Sequence, residues 1–158
     1  MSKLIILNTR EIKKIKELLI SNFSFSLPKN YVYLRNDKGK IYIINKQLSE
    51  VDLNKLKIDR IGLYFAELKH NQLRLSKEGA QLLAQEAEKS NEELKNVVEL
   101  TKEEFKKYFL GQDLIKDLGE DSRLILLKFG KNVFGCAKYK EGKILNFLPK
   151  IHRGEVII

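Results

Sequence analysis

The sequence predicts an α+β protein: an α/β half followed by a mainly β half. Three observations carry this. Apolar residues recur at helical spacing behind capping residues in a few places, all before Gly111. Alternating runs around glycine turns become dense after Arg123. A polar, acidic stretch without apolar periodicity, Lys89 to Glu93, separates the two patterns. At 158 residues the chain suits one domain with a full core or two small ones sharing an interface. The break places the halves at 1–92 and 93–158.

In chain order, Lys3 to Leu7 is a short apolar strand, and Asn8 with Glu11 three residues on opens a helix over Arg10 to Asn22. Pro28 and Asn30 make Phe23 to Asn30 a loop. Tyr31 to Arg35 and Lys40 to Ile44 form a hairpin around Asn36 to Gly39. Leu48 to Leu56 reads as a short helix or irregular turn, and Ile61 to Leu68 as an interior strand. The turn at His70 to Gln72 leads into Leu73 to Leu75. Ser76 caps a helix over Lys77 to Ala87. In the second half, Val97 to Leu100 is a strand, and Thr101 with Glu104 opens a helix through Leu110 that Gly111 ends. Arg123 to Phe129, Asn132 to Tyr139 and Lys143 to Leu148 are strands, and Glu155 to Ile158 closes a small barrel.

Composition narrows the function classes. Hydrophobic residues at 43% and charged residues at 32%, with no low-complexity tract, imply folding rather than disorder. The apolar run Leu4 to Leu7 is too short for a signal segment and nothing approaches a membrane span, which implies a cytoplasmic protein. One cysteine, Cys136, forbids an intrachain disulfide, and with only His70 and His152 beside it no zinc ligand set exists, so no metal is expected. Walker A, H-E-x-x-H and G-x-S-x-G sequences are absent. The adjacent acids Glu92-Glu93 and Glu103-Glu104 point in different directions on helical sequence and make a solvated face rather than acid/base machinery. No cofactor and no catalysis are expected.

The charge is more telling. Between Lys128 and Arg153 stand Lys128, Lys131, Lys138, Lys140, Lys143, Lys150 and Arg153 against the single acid Glu141, so this segment carries +6 of the formal +9. By contrast, Gln85 to Glu104 holds seven Glu against three Lys. Clustered positive charge on strand-turn-strand sequence is how a nucleic-acid-binding face looks, and a pI near 9.5 favours a polyanion, RNA first. Tyr139 has a ring and hydroxyl suited to stacking on a base, and His152 to a base or phosphate. Alternation turns Phe129, Phe134 and Phe147 inward. Cys136, in an apolar strand, reads as core.

Ordered motifs add a resemblance. Asn96 to Leu100, the helix exit Tyr108-Phe109-Leu110-Gly111-Gln112-Asp113, Leu126 to Gly130, and the run Phe134 to Lys138, Gly142 to Asn146 and Leu148-Pro149-Lys150 with Arg153 resemble the PUA domain, an RNA-binding pseudo-barrel. The likeness is greatest to the form found in archaeal relatives of the NOL1/NOP2/sun RNA methyltransferases. Gly62 to Phe65 and Leu73 to Ser76 look similar to the pre-PUA segment of such proteins and of the Nip7 ribosome-biogenesis family. The resemblance implies a PUA-like pseudo-barrel behind a pre-PUA domain, an rRNA or tRNA partner, and a Gly111 that lets backbone approach the ribose-phosphate. Two departures stand out: Ala137 replaces a second Gly of a G-x-G-K element, which would hold a phosphate farther off, and Gln112 replaces a basic residue. The Pro-Cys nucleophile and the Gly-rich S-adenosylmethionine site of a cytosine methyltransferase are missing from the sequence. The expectation is therefore a stand-alone RNA-binding protein of ribosome biogenesis or RNA modification. The alternative is an adaptor that docks a separate methyltransferase or assembly factor through an apolar face of Leu63 to Leu68 and Lys77 to Ala87.

Overall fold

The structure is a computed structural model that describes residues 3–46 and 62–157. The element expected at Leu48 to Leu56 lies outside the described residues. The fold is α+β and PUA-like, with three α-helices and two mostly antiparallel sheets among the described residues. The first sheet is a meander of β1 (Ile5–Ile6), β2 (Tyr31–Arg35), β3 (Lys40–Asn45), β4 (Leu63–Lys69) and β5 (Gln72–Leu75), paired in that order. The second curls into a half-barrel. Its strands are β6 (Val97–Glu99), β7 (Leu114–Ile115), β8 (Arg123–Phe129), β9 (Asn132–Lys140) and β10 (Lys143–Leu145), ordered β6-β8-β9-β10-β7, with β6 and β8 parallel.

Local chemistry accounts for the helices. Helix α1 (Thr9–Phe23) starts at a reciprocal capping box, Asn8 accepting from the Glu11 N–H and Glu11 accepting from the Asn8 N–H, and buries Ile15, Leu19 and Phe23. Helix α2 (Lys77–Lys89) starts under the Ser76 hydroxyl, which accepts from the Gly79 N–H at 2.9 Å. A Cβ on Gly79 would lie 2.0 Å from the Phe65 carbonyl oxygen, so only glycine lets this helix start sit on β4. Helix α3 (Lys102–Phe109) repeats the capping box with Thr101 and Glu104.

Strand β8 is buried on both faces. Leu124 and Leu126 join the core formed by α1, α2 and the first sheet, while Ile125 and Leu127 join the second core with Val98, Tyr108, Leu114 and Ile144. Strand β9 does the same by means of a bulge. Leu127 pairs with Gly135 and Lys128 with Val133, leaving Phe134 as the extra residue. The bulge sends Phe134 into the second core along with Ala137 and Tyr139, while Val133 and Cys136 pack on the first. The apolar faces of β4 and α2 that would have offered a docking surface are therefore interior: Phe65, Ala66, Ala80, Leu83 and Ala87 pack with Ile15, Leu19 and Phe23.

Three strand expectations need correction. The first strand shrinks to Ile5–Ile6, and β10 stops at Leu145 because Asn146 redirects the chain. Residues 155–157 form no strand. The edge beyond β10 is closed instead by β7, two residues with no pattern to announce them, through the pairs Lys143 with Ile115 and Ile144 with Leu114.

Candidate nucleic-acid interface

The β9–β10 hairpin concentrates the positive charge. Lys138 and Lys140 share one face of β9, and Lys143 stands directly across from Lys140 in the ladder. Like charges in facing positions repel, so this pairing opposes folding unless a polyanion covers it. None of the three lysine side chains is in an ion pair or hydrogen bond within the described residues, whereas Lys116 on the neighbouring segment is neutralised by Glu104 at 3.1 Å. Glu104 is accordingly held below the usual carboxylate value: burial works against this, but the Thr101 N–H and Lys116 outweigh it.

Lys128 and Lys131 lie at the other end of the same strands, roughly 26 Å away at about 3.3 Å per residue. There Lys128 pairs in register with Glu99, and both lysines border a hollow shared with Glu88, Glu92 and Glu93. These two do not join the hairpin cluster.

The closing loop is built around Asn146. Its side-chain amide donates to the carbonyls of Tyr108 (2.7 Å) and Gln112 (2.8 Å), its side-chain oxygen accepts from the Leu148 N–H, and its backbone N–H donates to Asp113. This ties the loop to the exit of α3 and presents a 3-10 turn, Lys150–His152, with Lys150, His152 and Arg153 exposed. The Arg153 Nε donates to the Leu148 carbonyl at 3.0 Å.

Two expected roles are overturned. Tyr139 is fully buried: its hydroxyl donates to the Gly119 carbonyl at 2.6 Å and accepts from the Leu118 N–H at 2.9 Å, so its ring is unavailable to a base. Period-2 alternation from Ala137 dictates this, since both point into the barrel. Gly111 has a φ of +89°, as the helix exit requires, but the space over its α-carbon is filled by the Arg153 side chain, whose Cδ would lie 2.6 Å from an added Cβ. Ala137 is likewise wholly buried, so the Gly-to-Ala departure falls inside the barrel and away from any phosphate. Cys136 is core as expected, and burial pushes its thiol up to about 12.

The sequence reading missed a cleft of about 310 Å³ between the two halves. It is bordered by Lys40, Tyr64 and Arg74 of the first sheet, Tyr108 of α3, and Phe147 and His152 of the closing loop. The Arg74 guanidinium lies over the Phe147 ring at 4.2 Å and reaches Glu67 at 3.9 Å. Lys40 stands 5.3 Å from the centre of the Tyr64 ring. Tyr108 is 3% exposed, burial pushes its hydroxyl up to about 12, and that hydroxyl makes no hydrogen bond among the described residues. Phe147, expected in the core, is only half-buried because it forms a wall of this cleft. Nothing in the sequence signalled it: Arg74 alternates with the buried Leu73 and Leu75 as an ordinary outward-facing strand residue.

Comparison with known proteins points to the second half of the chain. Residues 95–153 match the family described as the methyltransferase RsmF PUA domain. The chain is 24% identical over 147 residues to the ribosomal RNA small subunit methyltransferase F of Shewanella sp. (strain ANA-3), and 22% identical over 144 residues to that of Shewanella sp. (strain MR-4). Each alignment covers 90% of this chain but only 30% and 29% of the respective relative, so the chain spans under a third of the proteins it matches. No helix among the described residues is long and apolar enough to cross a membrane. The PUA resemblance read from the motifs is borne out for residues 95–153, the half-barrel and closing loop, which are similar to the PUA domain of RsmF-type methyltransferases, and weak similarity to these rRNA methyltransferases extends across most of the chain.

Proposed function

We propose that this chain is an RNA-binding protein of ribosome biogenesis or RNA modification, holding structured rRNA or tRNA through Lys138, Lys140 and Lys143, with Lys150 and Arg153 from the closing loop. The observation that carries the reading is the facing pair Lys140 and Lys143, unneutralised among the described residues, on a segment that matches a PUA domain. Phosphates would replace the missing counter-charges, and their condensed ions would be released. The relatives' printed name makes a small-subunit ribosomal RNA fragment the natural first ligand. The chain's contribution is binding rather than catalysis: its lone cysteine is buried with a raised pKa, which leaves no nucleophile for a cytosine C5 transfer.

Filter binding to such a fragment across a salt series tests the proposal. With five phosphates neutralised, log K should fall against log salt with a slope of about −4. A flat dependence overturns it.

A further inference from the structure

We infer that the cleft between the two halves receives one unpaired nucleotide of the bound RNA, its base stacked on Arg74. This rests on the RNA-binding reading and adds a site to it. Four features of the cleft converge on such a ligand.

The Arg74 guanidinium lies over the Phe147 ring at 4.2 Å and is within 3.9 Å of the Glu67 carboxylate. A guanidinium plane is a stacking platform that bases splayed from RNA commonly use, and Arg74 borders the cavity. The Tyr108 hydroxyl, on a side chain otherwise almost wholly buried, borders the cavity without a hydrogen-bond partner among the described residues, and offers a donor and an acceptor to the edge of a base. Lys40 and His152 border the same space and suit the phosphate. The volume, about 310 Å³, is at the small end of ligand sites and holds a single nucleotide, not a duplex.

Position agrees with chemistry. Cys136, in the cleft wall, and Lys138 and Lys140 lie along one face of β9, so Lys140 is about 13 Å from the cleft wall at 3.3 Å per residue. A stem gripped by the hairpin lysines would thus deliver a bulged residue to the cleft.

The test uses two RNAs with the same stem, one carrying a single bulged 2-aminopurine nucleotide. The expected result is about tenfold tighter binding of the bulged RNA, with quenching of the 2-aminopurine emission on stacking. Arg74→Gln and Tyr108→Phe should each abolish the quenching and most of the preference while leaving stem affinity unchanged. Retention of the wild-type melting temperature in at least one of them separates ligand contact from misfolding. Equal affinity for the two RNAs without quenching overturns the cleft assignment and leaves the lysine interface standing. Binding of neither RNA overturns both. Displacement of the quenched bulge by micromolar adenosine monophosphate would assign the cleft to a free nucleotide and overturn the proposal as stated.

Discussion

The two ends of the β8–β9 hairpin carry the same kind of residue in opposite circumstances. At one end Lys128 and Lys131 face Glu88, Glu92, Glu93 and Glu99, the acidic run that precedes them by some thirty to forty positions in the chain. At the other end Lys138, Lys140 and Lys143 have no counter-charge among the described residues and confront one another across a ladder. Positive charge that looks continuous in sequence is thus divided by folding into a pair that lies among acidic residues and a cluster that does not. A binding field depends on what each lysine meets in space, which is why the proposed RNA contact is assigned to the cluster away from the acids.

The sharpest way to break this comparison is to reverse charges at each end. Lys138→Glu, Lys140→Glu and Lys143→Glu together should weaken RNA binding on the order of a hundredfold and flatten the salt slope by about 2 to 3. Lys128→Glu with Lys131→Glu should change affinity by less than about threefold. Equal losses in filter binding from the two sets would mean that the ends are not distinct.

The free end should also depend on the hydrogen bonds that hold it. Asn146→Ala leaves the Tyr108 and Gln112 carbonyls and the Leu148 N–H without their partner and should cost about 2–4 kcal/mol, read as a lowered urea midpoint. Tyr139→Phe removes a hydroxyl that bonds both Gly119 and Leu118 and should cost about 1–3 kcal/mol, again by denaturant titration. Because β8 and β9 serve both cores, either change should also speed maleimide labelling of the buried Cys136 in proportion to the stability lost.

The smallest effect concerns Glu104. Because its folded-state pKa is depressed, it contributes stability above the unfolded carboxylate value of 4.5 that is lost as pH falls through the lower folded value. Thr101→Ala should remove about 1 kcal/mol at pH 7 and shrink that acid-side loss, as thermal melts at pH 7 and below pH 4 would record.

Much of the fold was legible because local rules sufficed. Asn8 with Glu11 and Thr101 with Glu104 announced two helices, and Gly39 at a φ of +84° closed the first hairpin as its turn required. The β7 edge was not legible, since two residues paired by long-range geometry carry no periodicity. Within the site, the lysines of the β9–β10 hairpin were visible by count. Tyr139 was misassigned because a tyrosine suited to stacking is equally suited to a buried hydroxyl, and only its alternation with Ala137 decides between them. The cleft was invisible because Arg74, Tyr108 and Phe147 are brought together by the packing of one sheet on another, which no spacing in the chain encodes.

Strand β8, with one face in each core, has a consequence for how this protein can be divided. Cutting away the first 92 residues would bare Leu124, Leu126 and Cys136 as an apolar stripe on the remaining sheet. The halves should therefore melt in a single cooperative step. The unit that can be transplanted from one protein to another is the pair, in keeping with relatives whose alignment runs through 90% of the chain although the family match is confined to residues 95–153.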